Sequence, residues 1–105
     1  MVAYVRGLRF YHDALKGGKL AGPTSREVIA ILGDYLKVSD PSIFREMTPC
    51  SVNPDGFVNV KSLAQDYATF KQLGLLTGEA PFDRAIDASF VENAYKILGP
   101  YKPRT

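Results

Sequence analysis

Apolar and polar positions in this chain fall into five stretches with the period of amphipathic helices, separated by breaks that contain glycine or proline. In the first, Tyr4, Leu8, Tyr11 and Leu15 form one stripe at steps of four, three and four, and Gly17-Gly18 ends it. Arg6, Arg9, Asp13 and Lys16 fall on the opposite face, a solvated side in which Asp13 interrupts the cations. Val5 and His12 flank the stripe on one side, and Ala3, Phe10 and Ala14 on the other. An apolar arc this wide predicts neighbours on two sides of the helix.

GGKLAGP reads as a loop. Thr24 with Glu27 three residues later matches a capping box, which predicts a second helix to about Lys37 with Val28, Ile31, Leu32, Tyr35 and Leu36 on its core face. Ser39 or Asp40 caps a short third helix with Pro41 in its first turn, where the missing amide proton costs nothing. Its apolar side is Ile43, Phe44 and Met47.

Asn53-Pro54-Asp55-Gly56 is a strong turn signal, because each residue suits its turn position. Phe57 and Val58 are briefly extended. Asn59 then caps a fourth helix in which Leu63, Tyr67 and Phe70 repeat at four and three, and Gly74 closes it with apolar Leu75 beyond. After the loop around Gly78, Pro81 and Phe82, Asp87 or Ser89 opens a fifth helix with Phe90, Ala94 and Ile97 inward, ended by Gly99-Pro100. No segment reads as a strand. The expected fold class is all-α, a single helical domain over residues 1–105.

Composition narrows the class without naming a function. A length of 105 residues suits one core. Apolar residues at 46% and charged residues at 23% exclude a disordered or collagen-like chain. A net charge of +2 is too small to imply nucleic acid without a clustered patch. No apolar run is long enough to span a bilayer, and the amphipathic start MVAYVRGLRFYHDALK is unlike an export signal, so the chain as written is expected to stay in the cytoplasm.

Candidate chemistry is sparse. A single cysteine, Cys50, excludes an internal disulfide, and a single histidine, His12, excludes a multi-histidine metal site. His12 flanks a packed face, and Cys50 falls in or under a loop. Asp83, Asp87 and Glu92 suit helix starts, where carboxylates complement the dipole. The six tyrosines read as packing aromatics, and the glycines form no phosphate-cradling motif. No catalytic, cofactor-binding or metal-binding residue is assigned, ligand-binding residues stay unassigned, and the chain is not expected to be an enzyme.

The stretches NPDGFVNVKSLAQDYATFKQLGLLTG and DASFVENAYKILGPYK, with the opening MVAYVRGLRFYHDAL, resemble the closing segment of substrate-binding proteins of bacterial ABC importers in the sulfonate, taurine, nitrate and thiamine-precursor group. That resemblance implies the C-terminal helical layer of a two-lobed α/β periplasmic-binding fold, a fragment of a far longer protein. It also implies transport of a small anionic or heterocyclic solute and docking on a membrane permease. The parent would be periplasmic or otherwise extracytoplasmic, so the resemblance further implies that Met1 is not the parent's first residue. None of the matched motifs is a ligand signature, and no binding residue carries over. Alone, the fragment is expected to self-associate through its first two helices, by way of the arc around Tyr4, Leu8, Phe10 and Tyr11. The alternative is a free-standing helical protein–protein interaction module.

Overall fold

The computed structural model describes Met1–Thr105 and is mostly helical: α1 (Val2–His12), α2 (Ser25–Leu36), α3 (Ser42–Glu46), α4 (Val60–Gln72) and α5 (Ser89–Leu98), with a short 3-10 turn at Phe82–Ala85. A two-stranded antiparallel ribbon, β1 (Leu15–Lys16) and β2 (Lys19–Leu20), is the only sheet. At the coarse level the chain is all-α, as its periodicity predicts.

The ribbon corrects the expected end of the first helix. α1 stops at His12, four residues short of Lys16, because the chain turns back through Gly17-Gly18. Both glycines have positive φ, 59° and 73°, the pair that a two-residue hairpin turn of the right twist demands. Two residues per strand are too few to display a period of two, so the pattern is silent about them. The ribbon lets Ala14 and Leu20 enter the core, and the Lys19 ammonium donates to the carbonyls of Glu46 (2.6 Å) and Met47 (3.2 Å), closing the C-terminal end of α3.

Gly22 follows. A Cβ there would lie 2.2 Å from the Asp13 carbonyl oxygen, and the Gly22 amide donates to the Ala14 carbonyl at 2.8 Å, so only glycine fits this approach.

Thr24 is a second correction. Its side chain accepts nothing from α2; instead its hydroxyl donates to the Phe10 carbonyl at 2.7 Å. Phe10 supplies one of the last carbonyls of α1, which have no partner within the helix. Thr24 therefore caps the end of α1, and the capping box with Glu27 does not form.

The main core is Ala14, Leu20, Val28, Ile29 and Phe44, with Phe10, Tyr11, Leu15, Leu32 and Val38 packed against it. The core face of α2 is thus rotated from the expected one. Val28 and Ile29 are buried, whereas Ile31, Tyr35 and Leu36 face outward at 50%, 81% and 62% exposure. In α5 the same happens: Val91 and Ala94 are buried, and Phe90 and Ile97 are exposed. In α3, Phe44 is buried while Ile43 and Met47 are exposed. One helix face can hold only the residues its neighbours reach, and the few helices present cover less than each apolar stripe offers.

Helix α4 follows its sequence signals closely. The Asn59 side chain accepts from the Ser62 amide at 3.1 Å. At the other end the Leu75 amide donates to Phe70 and the Gly74 amide to Lys71, with Gly74 at φ 70°, a Schellman ending. No residue of α4 is buried, and its apolar side faces the segment around the 3-10 turn, with Tyr67 against Phe82 and the Tyr67 hydroxyl donating to the Ala80 carbonyl.

Candidate functional site

The densest polar chemistry lies where α1, the Asn53–Gly56 turn and the end of α5 meet. The turn is built as its residues predict: the Asn53 side chain accepts from the Asp55 amide at 2.9 Å, and the Gly56 amide returns to the Asn53 carbonyl. Gly56 has φ 81°, and a Cβ on it would press Val5 (3.1 Å) and Val91 (3.2 Å), so the turn is wedged between α1 and α5.

This docking carries Asp55 to Arg9. The Arg9 guanidinium pairs with Asp55 at 2.7 Å, reaches the Pro54 carbonyl at 3.3 Å, and donates to the Gly99 carbonyl at the C-terminus of α5. The two side chains are only 18% and 23% exposed, so the pair is shielded enough to hold geometry. Asp55 also accepts from the Tyr101 amide at 2.9 Å. One residue of α1 thereby ties the Asn53–Gly56 turn to the end of α5, two segments that lie far apart in sequence.

One turn past Arg9, just beyond the end of α1, Asp13 repeats the arrangement. Its carboxylate is 4% exposed and accepts from the Tyr101 hydroxyl and the Arg104 amide, while Arg104 Nε lies 3.4 Å from its other oxygen. The Arg104 guanidinium also sits 5.7 Å above the Phe10 ring. Burial, then the hydrogen bond to Asp13 and its charge, push the Tyr101 hydroxyl up to about 12. Its ring meets His12 edge-on at 5.1 Å, and the buried His12 Nδ1 has no hydrogen-bond partner.

The expected solvated face of α1 is therefore corrected. Arg9 and Asp13 are partly to fully buried and clamp the C-terminal residues, while Arg6 and Lys16 remain in solvent. The pattern missed this because Asp55, Gly99, Tyr101 and Arg104 lie tens of residues away, beyond the reach of helical spacing. The one local sign was the Arg9/Asp13 pair at i and i+4, which reads equally well as a surface ion pair.

The remaining candidates do not converge on a reaction centre. Cys50 is exposed in the loop after α3, and its carbonyl accepts from the Tyr11 hydroxyl at 3.1 Å. Burial foremost, with the Cys50 side chain second, raises the Tyr11 hydroxyl above its ordinary value. Asp87 accepts from the Ser89 amide ahead of α5 at 2.9 Å, and hydrogen bonding from the Ser89 side chain, then from its amide, holds its carboxyl below the usual range. Glu92 lies in the first turn of α5 and Asp83 in the 3-10 turn, each at a helix start. No group of three or more His, Cys, Asp or Glu side chains is placed to hold a metal ion.

Two concave surfaces flank these elements. A polar cleft of about 590 Å³ runs between α1 and the C-terminal residues, and an apolar groove of about 330 Å³ lies between α4 and the 3-10 turn, walled by Leu63, Tyr67, Phe70, Leu76, Phe82 and Ile86. No helix is long and apolar enough to cross a membrane. Protein-family models, curated proteins and solved structures offer no match to the chain.

Proposed function

We propose that this chain is the C-terminal helical layer of the solute-binding component of an ABC importer, of the group that carries sulfonates, taurine, nitrate or pyrimidine-type solutes. In this reading its role is structural and non-catalytic. It backs an α/β lobe outside these residues, works extracytoplasmically with that lobe, and leaves solute capture to loops elsewhere.

The observation that carries this reading is unmatched apolar surface on otherwise well-formed helices. Only 12 of 105 residues are buried, although apolar residues make up 46% of the chain. The radius of gyration is 17.1 Å, against about 13 Å for a compact domain of this size. Ile31, Tyr35 and Leu36 on α2 and Phe90 and Ile97 on α5 point away from the core. Helices so poorly covered suit one layer of a larger body.

The nucleotide sequence ahead of codon 1 tests this. An in-frame α/β lobe preceded by a leader is the expected finding. A stop codon and a ribosome-binding site immediately before Met1 would sink the reading.

A second reading, a helical protein–protein interaction module, is favoured by the groove beside α4, whose walls are almost wholly apolar. Either way, exposed apolar faces of this extent make the isolated chain self-associate. Of the arc of α1 only Tyr4 is exposed, while Leu8, Phe10 and Tyr11 are half-buried within the chain, so the outer face of α2 is the better contact.

A further inference from the structure

We propose that the polar cleft between α1 and the C-terminal residues is a binding site for a small organic dianion of the phosphate-monoester class. Its volume of about 590 Å³ is within the range of small-molecule sites. Arg6, Arg9, Lys102 and Arg104 line it against a single carboxylate, Asp13. Arg9 is neutralised by Asp55 and Arg104 by Asp13, whereas Arg6 and Lys102 belong to no ion pair.

The charge count places the surplus here. The chain has 13 cations and 11 anions. Setting aside the four cleft cations with Asp13 and Asp55 leaves nine of each sign, so the net charge of +2 resides in the cleft. The remaining charges sum to zero, and the excess of cations in the cleft favours an anion there.

The two free cations are held on fixed backbone. Lys102 lies between Tyr101, whose amide donates to Asp55, and Arg104, whose amide donates to Asp13. Arg6 stands one turn before Arg9 on α1, which the clasp anchors. A site whose backbone is ordered before the ligand arrives loses less entropy on binding.

Two unpaired cations call for two negative charges, which a phosphate monoester carries at neutral pH and a single carboxylate does not. Leu98 and Pro100 add an apolar wall for the organic group, beside Phe10 with its face turned to Arg104. Asp13 and the small cleft length oppose a nucleic-acid strand, which needs cations repeated along a backbone. The site uses residues of this chain alone and stands whether or not the transporter reading does.

The test is an amide chemical-shift titration of the full 105-residue chain with phenyl phosphate, inorganic phosphate and phenol. Expected are saturable shifts confined to Arg6, Gly99, Tyr101, Lys102 and Arg104, with inorganic phosphate weaker and phenol silent. In Arg6→Ala/Lys102→Ala, phenyl phosphate affinity falls at least about tenfold, while the spectrum outside the cleft is unchanged because both side chains are exposed. Shifts that do not saturate, that spread over other cations, or that survive the double substitution would overturn the site. Equal binding of phenyl and inorganic phosphate would overturn its assignment to an organic ester.

Discussion

Replacing Arg9 with methionine keeps the side-chain stem on α1 and removes the fork that joins Asp55, Pro54 and Gly99. Each hydrogen bond with an ionised partner is worth about 1.5–3 kcal/mol net, and a shared donor makes the three bonds less than additive. Asp55 keeps the Tyr101 amide and some solvent, which limits the loss, whereas the Pro54 and Gly99 carbonyls lose a donor. The expected cost is about 3 kcal/mol, a large share of the stability of a domain this size.

Urea unfolding followed by circular dichroism measures it. With a slope of about 1.5 kcal/mol/M, the midpoint should fall by about 2 M with the slope unchanged. Arg9→Lys keeps the charge and loses the planar fork, and should recover less than half of that loss. In a double-mutant cycle with Asp55→Asn, the coupling should be about 1–2 kcal/mol. A midpoint shift under about 0.3 M for Arg9→Met, or additive single substitutions, would mean that the clasp is surface ornament and that α1, the turn and α5 are joined by apolar contact alone.

Three further outcomes follow from the packing. Gly22→Ala should cost about 2–4 kcal/mol and shift amides of Asp13 to Leu20 in the NMR spectrum, because the new Cβ meets backbone that cannot rotate away; a neutral result would mean the hairpin sits further from α1. Tyr101 should be among the last of the six tyrosines to ionise in an absorbance titration at alkaline pH. Its folded value of about 12 exceeds the ordinary 10.0, so its stabilising contribution is complete below about pH 10 and is lost as pH rises toward 12; Tyr101→Phe should flatten that alkaline loss. Light scattering should report concentration-dependent association, reduced in Ile31→Lys/Tyr35→Lys, and a stable monomer at high concentration would refute the contact assigned to α2.

Local signals determined most of the elements. The Asn53–Gly56 turn, the Asn59 cap, the Gly74 ending and the Asp87 bond ahead of α5 each act within a few residues, so spacing alone locates them. Periodicity also located five helices, because an amphipathic stripe marks a helix whether or not every apolar position finds cover. It did not decide which part of each stripe is buried. On α2 the neighbours reach Val28 and Ile29 and leave Tyr35 and Leu36 in solvent, a matter of packing direction that no helical wheel contains.

Tertiary structure alone decided the rest. Thr24 stands at the start of α2 as expected, but its hydroxyl serves the helix before it, since a free carbonyl of α1 lies within reach. Leu15 to Leu20 form a ribbon rather than a helix end, because two glycines with positive φ allow the reversal and the core accepts Leu20. Arg9 and Asp13, which spacing assigns to solvent, hold residues 55 and 99–104 instead. Charge and hydrogen-bond capacity were visible in the sequence; the partners came from chain segments brought together only when α5 folds back on α1.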